Sequence, residues 1–253
     1  MFQRLVVAVA ACLVLGAAPA PVQTAELTVF AASDLTFALR ELAPKFEQAQ
    51  RVKVTLVFGS TGNLARQIDS GAPADVFFAA NETFVDDLVK RGVIIAGTRT
   101  VYAQGRIVLA TAKTFRPALT DLRGLLDERV RHVAIANPVH APYGKAAEEA
   151  LRRAGVWESV KPKLVYGENI RQALQFIESG AAEAGIVALS VANVPSVAFT
   201  AIDPSLHTPL VQVAGVVTRS PSPQAGRAFI RFVNGAEGRT VMKRHGFSLP
   251  GEL

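Results

Sequence analysis

The stretch KVTLVFGSTGNLARQIDSG, Lys53–Gly71, decides the fold. Its first half is a short apolar run, Val54, Leu56, Val57 and Phe58, of the length and composition of a buried strand. The spacing then changes. Leu64 and Ile68 stand four apart, the period of a helix, and Gly71 supplies a residue that can close one. Between the two halves lies Gly59-Ser60-Thr61-Gly62, too short for anything but a tight strand-to-helix turn. A strand feeding a helix through a short turn is the unit from which parallel α/β sheets are assembled.

The unit recurs on both sides. LTVFAA (27–32) predicts a strand, followed by a helix whose apolar residues Leu35, Ala38, Leu39, Leu42 and Phe46 recur at three or four, with a kink or break expected at Pro44. Further strands are predicted at 74–80, 106–111, 132–137, 163–167, 182–190 and 210–219. Helices are predicted between them at 82–92, 121–127, 144–155 and 169–180, with one or two more closing the chain over 223–247. About ten strands are too many for one open sheet with so few helices per face. The pattern therefore predicts an α/β fold of two lobes, each a mostly parallel sheet flanked by helices. Crossings are expected near Ala103–Arg106 and within Val194–Val213, the second returning the closing helices to the first lobe. That divides the chain into 26–104 with 214–253, and 105–213.

Composition narrows the function. Of 253 residues half are hydrophobic and 19% charged, which excludes a disordered chain. The single cysteine excludes an internal disulfide framework. Arg4 precedes an uncharged apolar run, Leu5–Ala18, whose 14 residues are short for a membrane span and suit a secretory signal. Cleavage is expected after Ala20 or Ala25, the latter favoured because a strand begins at once. Cleavage after Ala25 removes residues 1–25, and with them Cys12 and Arg4, so the net charge falls from +6 to +5. Basic residues come singly or in pairs, with no polybasic run or interleaved aromatics, so no nucleic-acid partner is expected. His132, His140, His207 and His245 have no metal-ligand spacing and read as surface or structural residues.

Open α/β sheets bind ligands where strands deliver the chain to helix N-termini. Four such junctions offer candidates: Ser33; Ser60 with Thr61 and Gly62; Pro142-Tyr143-Gly144; and Asn169-Ile170. Each helix start exposes unpaired N–H groups and about half a positive charge. Converging between two lobes, they form an anion site that needs no cationic side chain. The competing reading of each Ser or Asn is an ordinary N-cap. GSTG has neither the lysine of a P-loop nor the spacing of a nucleophile elbow.

Together FAASDLT, GSTGNLARQI, GAPADVFFAAN, NPVHAPYGKAAEEAL, GENIRQAL and GIVALS, spread over Leu27–Phe247, resemble the periplasmic molybdate-binding proteins of ABC importers, the ModA family. The resemblance implies a type II periplasmic binding protein, not an enzyme, that closes on molybdate or tungstate as cargo, with no cofactor. It implies a monomer that hands the anion to an inner-membrane ABC permease. It also implies that Ser33 and Ser60 bind oxyanion oxygens through hydroxyl and N–H, and that Tyr143 and Ile170 donate backbone N–H. No side chain is expected to touch the molybdenum itself. Many members carry a tyrosine donor where this chain has Ala188, so either the anion keeps fewer bonds or Tyr143 or Asn169 contributes from its side chain, and Thr61 is a further candidate. Two alternatives stay open: a receptor for another small oxyanion, sulfate or phosphate, and an exported α/β hydrolase with Ser33 or Ser60 as nucleophile, which needs a base within reach.

Overall fold

A computed structural model describes residues 25–252, so all but Ala25 of the expected signal, 1–25, lies outside them. In chain order the strands are β1 (Ala25–Ala32), β2 (Val52–Gly59), β3 (Val76–Ala79), β4 (Thr100–Gly105), β5 (Ile107–Ala112), β6 (Val133–Ala136), β7 (Leu164–Gly167), β8 (Ala184–Ala188), β9 (Val197–Ala201) and β10 (Leu210–Val216). The helices are α1 (Thr36–Gln50), α2 (Thr61–Asp69), α3 (Glu82–Lys90), α4 (Pro142–Arg153), α5 (Trp157–Val160), α6 (Ile170–Glu178), α7 (Leu189–Ala192), α8 (Pro223–Asn234) and α9 (Ala236–Arg244).

Two five-stranded sheets result, ordered β2-β1-β3-β10-β4 and β7-β6-β8-β5-β9. The two orders are the same pattern. In each, three strands run parallel, β2-β1-β3 and β7-β6-β8. In each, the remaining pairings are antiparallel. The antiparallel half is made by the chain crossing between lobes: β4 passes into β5 through Arg106 alone, and β9 returns to β10. Both sheets are therefore mixed, and the parallel half of each presents strand ends and helix starts to the other lobe.

Alternation builds the first lobe's core. Along β1, Leu27, Val29 and Ala31 face one apolar layer with Leu39, Leu42 and Phe46 of α1. Phe30 faces the opposite layer with Leu64, Ile68 and Phe77. The second lobe has its own core, centred on Ile135, Leu151, Leu174 and Ile186. Pro44 does not break α1, which runs through to Gln50. The fully buried face of Leu39, Leu42 and Phe46 outweighs the lost backbone bond, and the helix instead stops where Arg51 takes a left-handed φ of 54°. Strands β4 and β9, expected only as crossings, are both edge strands. Pro195 and Pro204 flank β9, and prolines are tolerated beside an edge that a sequence pattern reads as loop.

Candidate functional site

Four strand ends meet between the lobes. β1 ends at Ala32, and a 3-10 turn, Ser33–Leu35, leads into α1. β2 ends at Gly59 and Ser60 precedes α2. In the second lobe β6 leads through 137–141 to α4, whose first residue is Pro142. A proline suits that position because its missing N–H has no helical acceptor there. β7 ends at Gly167 and Asn169 precedes α6. Together they wall a narrow cavity lined by Ala32, Ser33, Asp34, Gly59, Ser60, Thr61, Ala80, Ala141, Pro142, Tyr143 and Ile170. The wall carries no Lys or Arg.

Of the residues singled out in the sequence, Ser33, Ser60, Thr61, Tyr143 and Ile170 line this cavity; Asn169 and Ala188 do not. Asn169 is an N-cap, its side chain accepting from the N–H groups of Arg171 (3.0 Å) and Gln172 (3.2 Å). Ala188 ends β8, fully buried opposite Ile107. The serines behave otherwise. Neither hydroxyl caps its helix. Ser33 Oγ donates to Gly59 O at 3.1 Å, and Ser60 Oγ lies 2.9 Å from His140 Nδ1. Thr61 Oγ1 is occupied, accepting from Ala80 N at 3.1 Å. Cap bonding leaves the Ile170 N–H, the first of α6, without a helical acceptor.

The lobes are closed on each other. Gly62 N donates to His140 O at 2.9 Å, and Asn63 donates to Glu168 across the same seam. His140, expected as a surface or structural residue, is buried at this contact, with Nε2 3.7 Å from Glu168 Oε2. A histidine 80 residues away in sequence thus stands beside Ser60, the base that a hydrolase reading lacked. The pair bridges the two lobes, Ser60 on the first and His140 on the second, at the seam. A larger open groove of about 680 Å³ runs alongside, sharing His140, Ala141 and Pro142. Lys145 and Arg152 in it are offset by Glu148 and Glu149, so it presents no basic field to an anion.

Tyr143 does not turn its hydroxyl to the cavity as expected. Tyr143 Oη donates to Asp34 Oδ2 at 2.9 Å, and Gln212 Nε2 donates to the same oxygen at 2.6 Å and to Tyr143 Oη at 2.9 Å. Gly105, where the chain leaves the first lobe, leaves room for this group: a Cβ there would collide with the Tyr143 hydroxyl. Asp34 is fully buried, and burial raises its carboxyl from 3.8 to about 6, against the lowering pull of Gln212, Tyr143 and the backbone N–H groups of Asp34 and Leu35. Sequence reasoning missed Asp34, Gln212 and His140. The one available signal was an acidic residue beside Ser33 at a junction singled out for binding anions. Among the described residues no group of three or more His, Cys, Asp or Glu side chains is placed to hold a metal ion, and no helix is long and apolar enough to cross a membrane.

Two α/β lobes joined by crossing strands and closed over a small cation-free cavity define a type II solute-binding protein. Residues 27–248 match the family model described as bacterial extracellular solute-binding protein, and the chain belongs to that family. It is similar to the molybdate-binding protein ModA of Azotobacter vinelandii, 38% identical over 97% of this chain and 97% of that one. It is 33% identical to the molybdate-binding protein ModA of Rhodobacter capsulatus, over 95% of this chain and 94% of that one. The solved structure of the Azotobacter vinelandii periplasmic molybdate-binding protein superposes with a TM-score of 0.82 at 31% identity, covering 88% of this chain and 99% of the other. The protein is accordingly a binding protein and not an enzyme.

Proposed function

We propose that this protein captures molybdate, and tungstate with it, in the periplasm and delivers it as a monomer to an inner-membrane ABC permease. The anion is cargo, held through its oxygens by the hydroxyls and N–H groups of Ser33 and Ser60 and the backbone N–H groups of Tyr143 and Ile170. The observation that carries the reading is the cavity wall, made of helix starts and hydroxyls between the lobes with no Lys or Arg. Helix N-termini and hydroxyl donors without a cationic side chain suit a small oxyanion. The relatives named as molybdate-binding proteins supply the choice of oxyanion. A rigid cage also selects by size. A smaller tetrahedral anion leaves bonds unmade, each worth about 1.5–3 kcal/mol to a charged group. The moving bodies divide at Arg106 and in the 202–209 stretch between β9 and β10.

A thermal-shift panel tests this. Molybdate or tungstate at 100 times its Kd should stabilise the mature protein by about 2.7 kcal/mol. A melt moved by sulfate or phosphate and untouched by molybdate overturns the choice of cargo. The Asp34 carboxyl in the cavity wall favours one alternative, an oxyanion that arrives with its own proton, such as hydrogen phosphate; the same panel decides it.

A further inference from the structure

A carboxylate is out of place in an anion cavity, where two like charges in a water-poor setting repel strongly. Yet Asp34 lines the cavity beside Ser33 and Ser60, and among the described residues it has no ion-pair partner. Its two oxygens differ. Oδ2 already accepts two hydrogen bonds from neutral donors, Tyr143 Oη and Gln212 Nε2. Oδ1 is buried and completes no hydrogen bond, although the backbone N–H groups of Asp34 and Leu35 lie close enough to the carboxyl to lower its value. A proton added to this carboxyl therefore belongs on Oδ1, since Oδ2 is occupied by donors. Once there, it sits on a buried oxygen that makes no bond of its own, and such a donor needs an acceptor.

Resting on the oxyanion reading above, we infer that the anion binds together with one proton, which Asp34 Oδ1 holds and donates to an anion oxygen. Asp34 then acts as a specificity-determining donor, in place of the hydroxyl that Ala188 does not supply. No bond beyond this proton's is made or broken: the proton comes from solvent on binding and returns to it on release. A basic oxyanion carrying its own proton leaves the same proton between the same two oxygens.

The surroundings favour this. Burial has already raised the Asp34 carboxyl to about 6, and an incoming dianion pushes the same way. The titratable groups facing it, Tyr143 on α4 and Tyr102 on β4, are pushed well above their ordinary value by burial first and by Asp34 second, so both stay neutral. Gln212 on β10 is neutral. Arg171 on α6 is turned to the Phe37 ring at 4.9 Å and to Glu178 at 3.8 Å. On α1, Arg40 lies over the Phe58 ring, Lys45 pairs with Glu41 and Glu237, and Glu41 also pairs with Arg244 and His245. The short α7 brings no ionisable side chain. His140, at the seam beside the cavity, is bonded to Ser60 and not to Asp34.

The test is calorimetric titration of the mature protein with molybdate, run at each pH in two buffers of different ionisation enthalpy, which counts the protons taken up. Molybdate carries no proton of its own in the neutral range. The wild type should take up about one proton per anion at pH 8 and close to none at pH 5, with Kd weakening about tenfold per pH unit between 6.5 and 8.5. Asp34→Asn keeps the shape and places an N–H at the Oδ1 position. It should take up none, with Kd changing less than about threefold over the same range. His140→Gln should keep the uptake. Binding by the wild type with no uptake at pH 8 overturns the inference alone, as does uptake that survives Asp34→Asn or vanishes in His140→Gln. Should Asp34→Asn fail to fold, the wild-type proton count and His140→Gln still decide. No binding heat from molybdate at any pH overturns the cargo reading and this inference with it.

Discussion

In the first lobe, β1 and β2 bring Ser33 and Ser60 to the cavity with hydroxyls free of capping bonds. In the second, the strands that hold the same places in the sheet, β6 and β7, bring Tyr143 and Ile170, and there the polar side chains are spent elsewhere. Tyr143 is bonded to Asp34, and Asn169 caps its own helix. The closest contrast is between Ser60 and Asn169. Each is the residue before the helix that follows the outermost parallel strand, and only Asn169 caps. In the reading proposed above, one topology thus serves two purposes: the first lobe adds side-chain donors that substitution can remove, and the second gives backbone donors alone.

Removing both hydroxyls should break the comparison most severely. Ser33→Ala with Ser60→Ala takes away two bonds to a charged ligand, each about 1.5–3 kcal/mol, so molybdate affinity should fall at least about a hundredfold. Without capping bonds to lose, the ligand-free protein should be weakened by no more than about 1 kcal/mol per neutral bond. Calorimetry and urea unfolding read the two effects separately. An unfolded double variant would show the serines to be structural, like Asn169.

Asp34 has no carboxyl counterpart in the second lobe's share of the wall, and this difference should appear in stability. Its folded value of about 6 lies above the ordinary 3.8, so the folded chain binds more protons between those values. Stability from this group is full below about pH 4 and is lost as pH rises through about 6. The gap corresponds to roughly 3 kcal/mol. Asp34→Asn should therefore stabilise the ligand-free protein by up to roughly that amount at pH 8 and hardly at all at pH 4. Urea midpoints at the two pH values check it; an equal effect at both would mean that the carboxyl carries no such burden.

The seam between the lobes is the next point of attack. A Cβ on Gly62 would stand 2.8 Å from His140 O and 3.1 Å from His140 Cα, backbone that cannot swing aside. Gly62→Ala should hold the lobes apart and cost about 1–3 kcal/mol of closure, weakening affinity about 10- to 100-fold while both cores stay intact. Small-angle scattering with saturating molybdate should show a larger radius of gyration than the wild type. A variant that closes normally would place the seam's flexibility elsewhere.

The site was legible in sequence where a junction is local. Ser33, Ser60, Thr61, Tyr143 and Ile170 each follow a strand whose apolar run marks its end, and all five line one cavity. What escaped depends on contacts far apart in the chain: His140 meets Ser60 across 80 residues, Tyr143 meets Asp34 across 109, and Gln212 meets Asp34 across 178. No period or motif encodes such meetings. Asp34 was visible as a residue, but its meaning depends on burial among neutral donors, which only the closed lobes create. The edge strands β4 and β9 were lost for a related reason, since a strand paired on one side needs little apolar pattern of its own.

The smallest expected effect sharpens the comparison most directly, because it inverts the serine result at the matching position. Asn169 Oδ1 satisfies two of the orphan N–H groups of α6 and does not line the cavity. Asn169→Ala should therefore cost about 1 kcal/mol of stability, the usual worth of a cap. The Ile170 N–H that would face the anion is not among the bonds lost, so molybdate affinity should change less than about threefold, within the fraying of one helix turn. Paired urea unfolding and calorimetry on Ser60→Ala and Asn169→Ala give the contrast. Ser60→Ala should lose affinity at a stability cost of no more than about 1 kcal/mol, and Asn169→Ala should lose the worth of its cap while keeping its affinity. If Asn169→Ala instead loses affinity as Ser60→Ala does, its side chain reaches the anion in the bound state, and the second lobe contributes more than backbone.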